Sequence, residues 1–137
     1  MLKDMELEKL LDELASRSAA PGGGTVAGIA GALSAALVSM VCNLTFGKKK
    51  YSQHEDDVKK CLENATKLKA EFILLAERDA EVFSEVMEAY NLPHETEEEN
   101  TTRENAVEEA TKRAALVPMD VLRRCQTLVQ LSRSVAL

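Results

Sequence analysis

The chain has no tryptophan, three phenylalanines and two tyrosines, so aromatic residues make up 4% of its 137 positions. A core must therefore be assembled from Leu, Val and many Ala. Side chains this small favour closely packed helices over sandwiches of β-branched and aromatic strands. Proline and glycine are also scarce, at three and six residues, which argues against an all-β or disordered chain. There is no basic block, and the formal net charge is −6; nucleic acid is excluded as a main partner on that ground. Cys42, Cys61 and Cys125 form no C-x-x-C, which fits a reducing compartment without a disulfide framework. The length suits one domain, taken as residues 1–137.

A signal peptide is missing too. Met1 to Leu14 is amphipathic and carries Lys3, Asp4, Glu6, Glu8 and Lys9, not the charged-then-apolar order of a secretory leader. Formal charge is absent from Ser18 to Gly47, a run long enough on paper to cross a bilayer. Most of that run is Ala, Gly, Ser and Thr, which add little to lipid transfer. A central helix surrounded on all sides by protein is the better account, with no membrane partner.

What remains is helical periodicity. Leu7, Leu10, Leu11 and Leu14 mark a first amphipathic helix ending near Ser16 to Ala20. Pro21-Gly22-Gly23-Gly24 breaks it, and Thr25 is the expected N-cap of a second helix running to about Phe46. Gly24, Gly28 and Gly31 give that helix a low surface open to close backbone approach. Val58, Leu62, Ala65, Leu68, Phe72, Leu75, Asp79, Val82, Val86 and Tyr90 then follow steps of three and four, predicting a long third helix. Asn91-Leu92-Pro93 stops it, and Thr96-Glu97-Glu98-Glu99 has the form of a capping box for a fourth. Val107, Ala110, Ala114 and Val117 are its expected inner positions. Pro118 should kink or restart the helix, with Met119, Leu122, Cys125, Val129 and Ser132 carrying the stripe toward Leu137. The expected fold is all-α: a helical bundle with a long central helix, dimerising through helices.

Asp79 is the most informative residue, because it stands in an apolar stripe between Leu75 and Val82. A carboxylate there is costly unless paired, hydrogen-bonded or protonated. Either a structural ion pair answers it, or it serves as a general acid or base. The Pro21-Gly22-Gly23-Gly24-Thr25 loop is the second feature. Gly22, Gly24 and Ala27 satisfy G-x-G-x-x-A, but a helix precedes them instead of a strand, and no Gly-Lys-Ser/Thr follows, so neither dinucleotide nor Walker chemistry is indicated. A flexible loop entering a helix N-terminus suits a carboxylate or polarised carbonyl oxygen. Lys48, Lys49 and Lys50 follow the charge-free helix and could attend an anionic ligand; Asn43 lies within a turn or so of them. His54 and His94 have no partner at ligand spacing, so no metal site is expected. Three N-x-[ST] sequons, at Asn43, Asn64 and Asn100, are coincidental without a secretory signal.

Five blocks in one order resemble a known family. They are Pro21 to Ala27, the Ala-rich helix into Asn43-Leu44-Thr45-Phe46-Gly47 and Lys48 to Tyr51, Asp79-Ala80-Glu81-Val82-Phe83, Ala89 to Pro93, and Ala114 to Met119. Together they look like the formiminotetrahydrofolate cyclodeaminase / methenyltetrahydrofolate cyclohydrolase family, also found as the C-terminal domain of formimidoyltransferase-cyclodeaminase. The resemblance implies a helical homodimer with its folate site near the subunit interface, in cytosolic one-carbon metabolism and histidine degradation. It also implies closure of 5-formiminotetrahydrofolate to 5,10-methenyltetrahydrofolate with release of ammonia, or hydrolysis of the methenyl ring. No tightly bound cofactor is implied, a reduced folate being the substrate. Family members continue past the Val117-Pro118 helix into further helices that this sequence does not contain, and Thr25 stands where a Ser is commoner.

The roles expected from both lines are these. Asp79 is the acid/base, and Lys48 or Lys49 pairs with the folate glutamate or assists the leaving group. Pro21, Gly22, Gly23, Gly24 and Thr25 hold a ligand oxygen, and Asn43 orients the pterin or reacting carbon. Rivals from other classes are a non-catalytic helical dimerisation module and a small membrane protein.

Overall fold

The computed structural model describes residues 4–136. Four α-helices follow one another: α1 (Leu7–Ala15), α2 (Gly23–Thr45), α3 (Glu55–Tyr90) and α4 (Glu97–Ala136), with a 3-10 turn at Lys49–His54. Among the described residues there is no strand. α2, α3 and α4 form the bundle, with α3 in contact with both others. Gly24 of α2 lies beside Asp79 of α3 and Gly31 beside Phe72, which makes that pair antiparallel. α3 and α4 are antiparallel as well, since Arg103 bonds the Tyr90 carbonyl, Arg113 meets Glu85, and Arg124 meets Glu71 at 2.7 Å.

The low surface predicted on α2 is where α3 sits. A Cβ on Gly28 would stand 2.9 Å from Ala76 Cβ, and one on Gly31 would stand 2.5 Å from the Phe72 ring. Each position leaves a neighbour no room for a methyl group. Around this contact Ala32, Ala35, Val38 and Cys42 of α2 pack on Cys61, Ala65, Leu68 and Phe72 of α3, closed by Val121 and Leu128 of α4. Phe72 is the largest fully buried side chain.

Three expectations are corrected. First, α2 begins two residues before Thr25, with Gly22 as its N-cap, so the Thr25 hydroxyl is inside the helix and serves something other than capping. Second, α2 is not surrounded by its own chain: among the described residues Leu33, Leu37, Met40 and Leu44 are each at least half exposed along one outer face. α2 is also the one described helix apolar and long enough to cross a bilayer, and here its inner face is packed on α3 and α4. Third, α4 neither stops nor resets at Pro118. Its buried stripe continues as Ala110, Val117, Val121 and Leu128, while Met119, Leu122 and Val129 face outward. Proline costs α4 one N–H, but the 3.6-residue period runs through it unbroken.

The capping box is present as read. Glu99 N–H donates to Thr96 Oγ1 at 3.2 Å, and Thr96 N–H donates to Glu99 Oε2 at 3.1 Å.

Candidate functional site

The glycine loop and the carboxylate meet. The first helical hydrogen bond of α2 runs from Val26 N–H to Gly22 O, at 3.1 Å. The N–H groups of Gly23, Gly24 and Thr25 precede it, and no side chain caps them. Beside that positive helix end stands Asp79, partly buried, with Oδ2 accepting the Thr25 Oγ1–H at 3.0 Å. A cavity of about 300 Å³ opens over the pair. Gly22, Gly23 and Gly24 form one wall, Asp79, Val82 and Phe83 of α3 another, and Ala114 of α4 the back.

Asp79 has no cationic partner among the described residues. Arg78, adjacent in sequence, points elsewhere: it bonds Glu81 at 3.0 Å and Glu85 at 3.2 Å, and Arg113 reaches the same Glu85. The ion-pair alternative for Asp79 is therefore not what the fold contains. A neutral hydroxyl and unpaired helix N–H groups surround it instead. That leaves the charge of the carboxylate available to a cationic centre, and the N–H groups available to a carbonyl or carboxylate oxygen.

The remaining expected residues lie at the other end of α2. Asn43 is exposed, and Lys48, Lys49 and Lys50 are exposed on the turn that follows. A smaller hollow of about 140 Å³ sits among Phe46, Gly47, Lys48, Lys49 and Tyr51, and Lys50 Nζ lies 5.2 Å from the centre of the Tyr51 ring. From Gly24 to Asn43 the helix rises roughly 28 Å. Within one chain, then, Lys48, Lys49 and Asn43 do not share a cavity with Asp79. Pro21 belongs to the Asp79 end, as the residue preceding the Gly22 cap.

Sequence reasoning missed a groove. It holds about 490 Å³ between α2 and α3, floored by Ile29, Ala32, Leu33 and Ala36 on one side and Ala70, Ile73 and Leu74 on the other. Lys69 and Glu77 mark its two ends, and Glu77 Oε1 is buried without a hydrogen-bond partner. The signal was present as a second stripe, Ala70, Ile73, Leu74 and Glu77, beside the core stripe of α3. No cluster among the described residues could hold a metal ion.

The sequence profile of the family described as formiminotransferase-cyclodeaminase matches residues 6–137. A methenyltetrahydrofolate cyclohydrolase of Methylorubrum extorquens is 46% identical over 130 residues, covering 95% of this chain and 62% of that protein. The formimidoyltransferase-cyclodeaminase of Mus musculus is 35% identical over 130 residues, 95% of this chain and 24% of its own length. Among solved structures, that of formiminotetrahydrofolate cyclodeaminase from Thermotoga maritima superposes with a TM-score of 0.81 at 34% identity, covering 96% of this chain and 61% of that one. The chain thus spans about three fifths of the length of the bacterial relatives.

Proposed function

Since the chain belongs to the formiminotransferase-cyclodeaminase family, we propose that the cavity over Asp79 binds a reduced folate and closes 5-formiminotetrahydrofolate to 5,10-methenyltetrahydrofolate. The observation that carries this reading is the uncompensated Asp79 carboxylate beside the free N–H groups of α2, in a cavity walled by glycine. In the amidinium form of the substrate, N10 adds to the formimino carbon and becomes cationic. Asp79 takes the N10 proton and hands it to the former imine nitrogen. The C–N bond breaks, ammonia leaves, and the positive charge stays on the methenyl bridge. One carboxylate thus carries one proton between two nitrogens on the same carbon; it is neutral while it holds that proton, and its charge faces the cation before the first transfer and again after the second. Gly23 and Gly24 N–H groups hold a substrate oxygen.

Lys48, Lys49 and Asn43 enter from a second copy of the chain. The outer face of α2 supports a two-fold pairing in which the helices run antiparallel. Gly24 and Asn43 are equidistant from the Leu33–Ser34 midpoint, so each Asp79 end meets the partner's Asn43 and Lys48 end. Ile73 lies four residues from both Lys69 and Glu77, so an axis over it brings the unpartnered Glu77 carboxylate to the partner's Lys69. The Lys48 and Lys49 ammonium groups then pair with the glutamate of the folate or assist the leaving group. Three free thiols support a cytoplasmic setting.

A second reading, hydrolysis of the methenyl bridge, is favoured by the 46% identity to a cyclohydrolase. Absorbance of the methenyl chromophore separates the two. Its appearance from 5-formiminotetrahydrofolate supports cyclodeamination, and its loss from 5,10-methenyltetrahydrofolate supports the hydrolase. No turnover of either, with no heat of binding to any reduced folate, overturns both in favour of a helical interaction module.

A further inference from the structure

Thr25 is the only fully or nearly fully buried polar residue among those described, with no exposed surface at all, and it is not a wall of the cavity. Hydroxyls elsewhere on these helices fold back on their own backbone: Ser34 onto Ala30 O, Ser39 onto Ala35 O, Thr45 onto Val41 O, Thr101 onto Glu97 O. Thr25 does not. It is the third residue of α2, so the residue four before it, Pro21, lies outside the helix. With no helical carbonyl behind it, the hydroxyl donates across to Asp79 Oδ2 instead. A β-branched side chain in a helix has few χ1 choices, which fixes the direction of that donation. Oδ1 accepts no hydrogen bond among the described residues; it lies against Gly24, in the space that any side chain there would have to fill.

We propose that Thr25 is a positioning residue, whose buried hydroxyl ties down Oδ2 of Asp79 so that Oδ1 is the oxygen presented to the reacting nitrogens. This rests on the acid/base reading of Asp79 given above, and it removes Thr25 from the substrate contacts. The hydroxyl never touches the folate; it sets the plane of the carboxylate. A nucleobase-sized ring system seated on the glycine wall meets one oxygen at a fixed angle, and the proton moves along that line in both halves of the reaction.

The test uses Thr25→Val, which keeps the shape and removes the donor, and Thr25→Ser, which keeps the donor and removes a methyl. Steady-state kinetics on the turned-over folate should show kcat lowered about 10- to 100-fold in Thr25→Val, with KM changed less than about threefold. Thr25→Ser should recover kcat to within about threefold of wild type. A raised KM with unchanged kcat in Thr25→Val would make the hydroxyl a substrate contact and overturn the proposal, as would equal losses in both variants. Crystal structures of the two variants supply a readout that needs no activity. The carboxylate should hold its plane in Thr25→Ser and rotate in Thr25→Val; an unmoved carboxylate in folded Thr25→Val overturns the positioning role. Wild type without turnover sinks the folate reading, while the crystallographic result still decides the role of Thr25. Should Thr25→Val fail to fold, Asp79→Asn settles the matter in the wild-type background: its amide oxygen should stay on the Thr25 hydroxyl in the crystal, and its departure overturns the proposal.

Discussion

Gly24 and Asp79 claim the same volume: a Cβ placed on Gly24 would stand 2.5 Å from Asp79 Cγ and 2.7 Å from its Oδ2. The glycine is there so that a carboxylate can lie against the backbone of a helix start. Gly24→Ala must therefore push Asp79 out of its hydrogen bond with Thr25. We expect kcat on the folate substrate to fall by about 10²-fold, with the helical content by circular dichroism unchanged. Activity within a factor of two of wild type would mean that the position of Asp79 is immaterial.

Asp79→Asn separates charge from shape. The amide keeps an oxygen for the Thr25 hydroxyl, so the melting temperature should move by only a few degrees. Turnover should fall by about 10²- to 10⁴-fold, the usual contribution of a positioned acid/base group. Steady-state absorbance assays on both candidate folates are the measurement.

Two defective variants should repair each other. If each site draws Asp79 from one subunit and Lys48 from its partner, Asp79→Asn and Lys48→Ala are each inactive alone. Mixed, unfolded and refolded together, half of the dimers are hybrids with one intact site of two, giving about one quarter of wild-type activity. Leu37→Asp, on the exposed face of α2, should abolish both the dimer and the recovery. Sedimentation and the mixing assay check this pair of outcomes; activity in a monomeric Leu37→Asp protein would refute the shared site.

At alkaline pH a buried thiol sets a stability limit. Burial, and then the hydrogen bond with the Cys61 thiol, push the Cys42 thiol up from its ordinary 9.0 to about 11. The native state holds this proton more tightly than the unfolded chain. Its contribution is complete below pH 9, declines as the unfolded thiol ionises, and is lost by about pH 11, amounting to about 2–3 kcal/mol. Urea unfolding of wild type and Cys42→Ala from pH 8 to pH 11 isolates it. The wild-type curve should fall more steeply, and parallel curves would contradict the assignment.

The helices were legible because their periods are long and their stops are explicit, as with Pro21, Pro93 and the Thr96–Glu99 box. Asp79 was legible for a different reason: a carboxylate in an apolar stripe is an energetic contradiction wherever the chain folds. Its hydroxyl partner was not, since the sequence does not say which residue of a neighbouring helix faces it, and an ion pair and an acid/base role stood equally open. The separation of Lys48 from Asp79 was implicit in the length of α2, because nineteen intervening helical steps cannot be folded away. One site can hold both groups only if they come from two copies of the chain. The outward face of Leu33, Leu37 and Leu44 was not legible, because composition records how apolar a helix is and not which of its neighbours belong to the same chain.

Gly28 and Gly31 rest directly on Ala76 and Phe72, so nothing compressible separates the two helices along that stretch. The spacing there is passed on, undamped, to the hydroxyl–carboxylate pair one turn closer to the tip. A single methyl group added at Gly28, facing no ligand and touching no reactive atom, would be felt as a misaligned proton transfer. Purely mechanical thickness in the second and third turns of α2 is thereby a determinant of chemistry at its end.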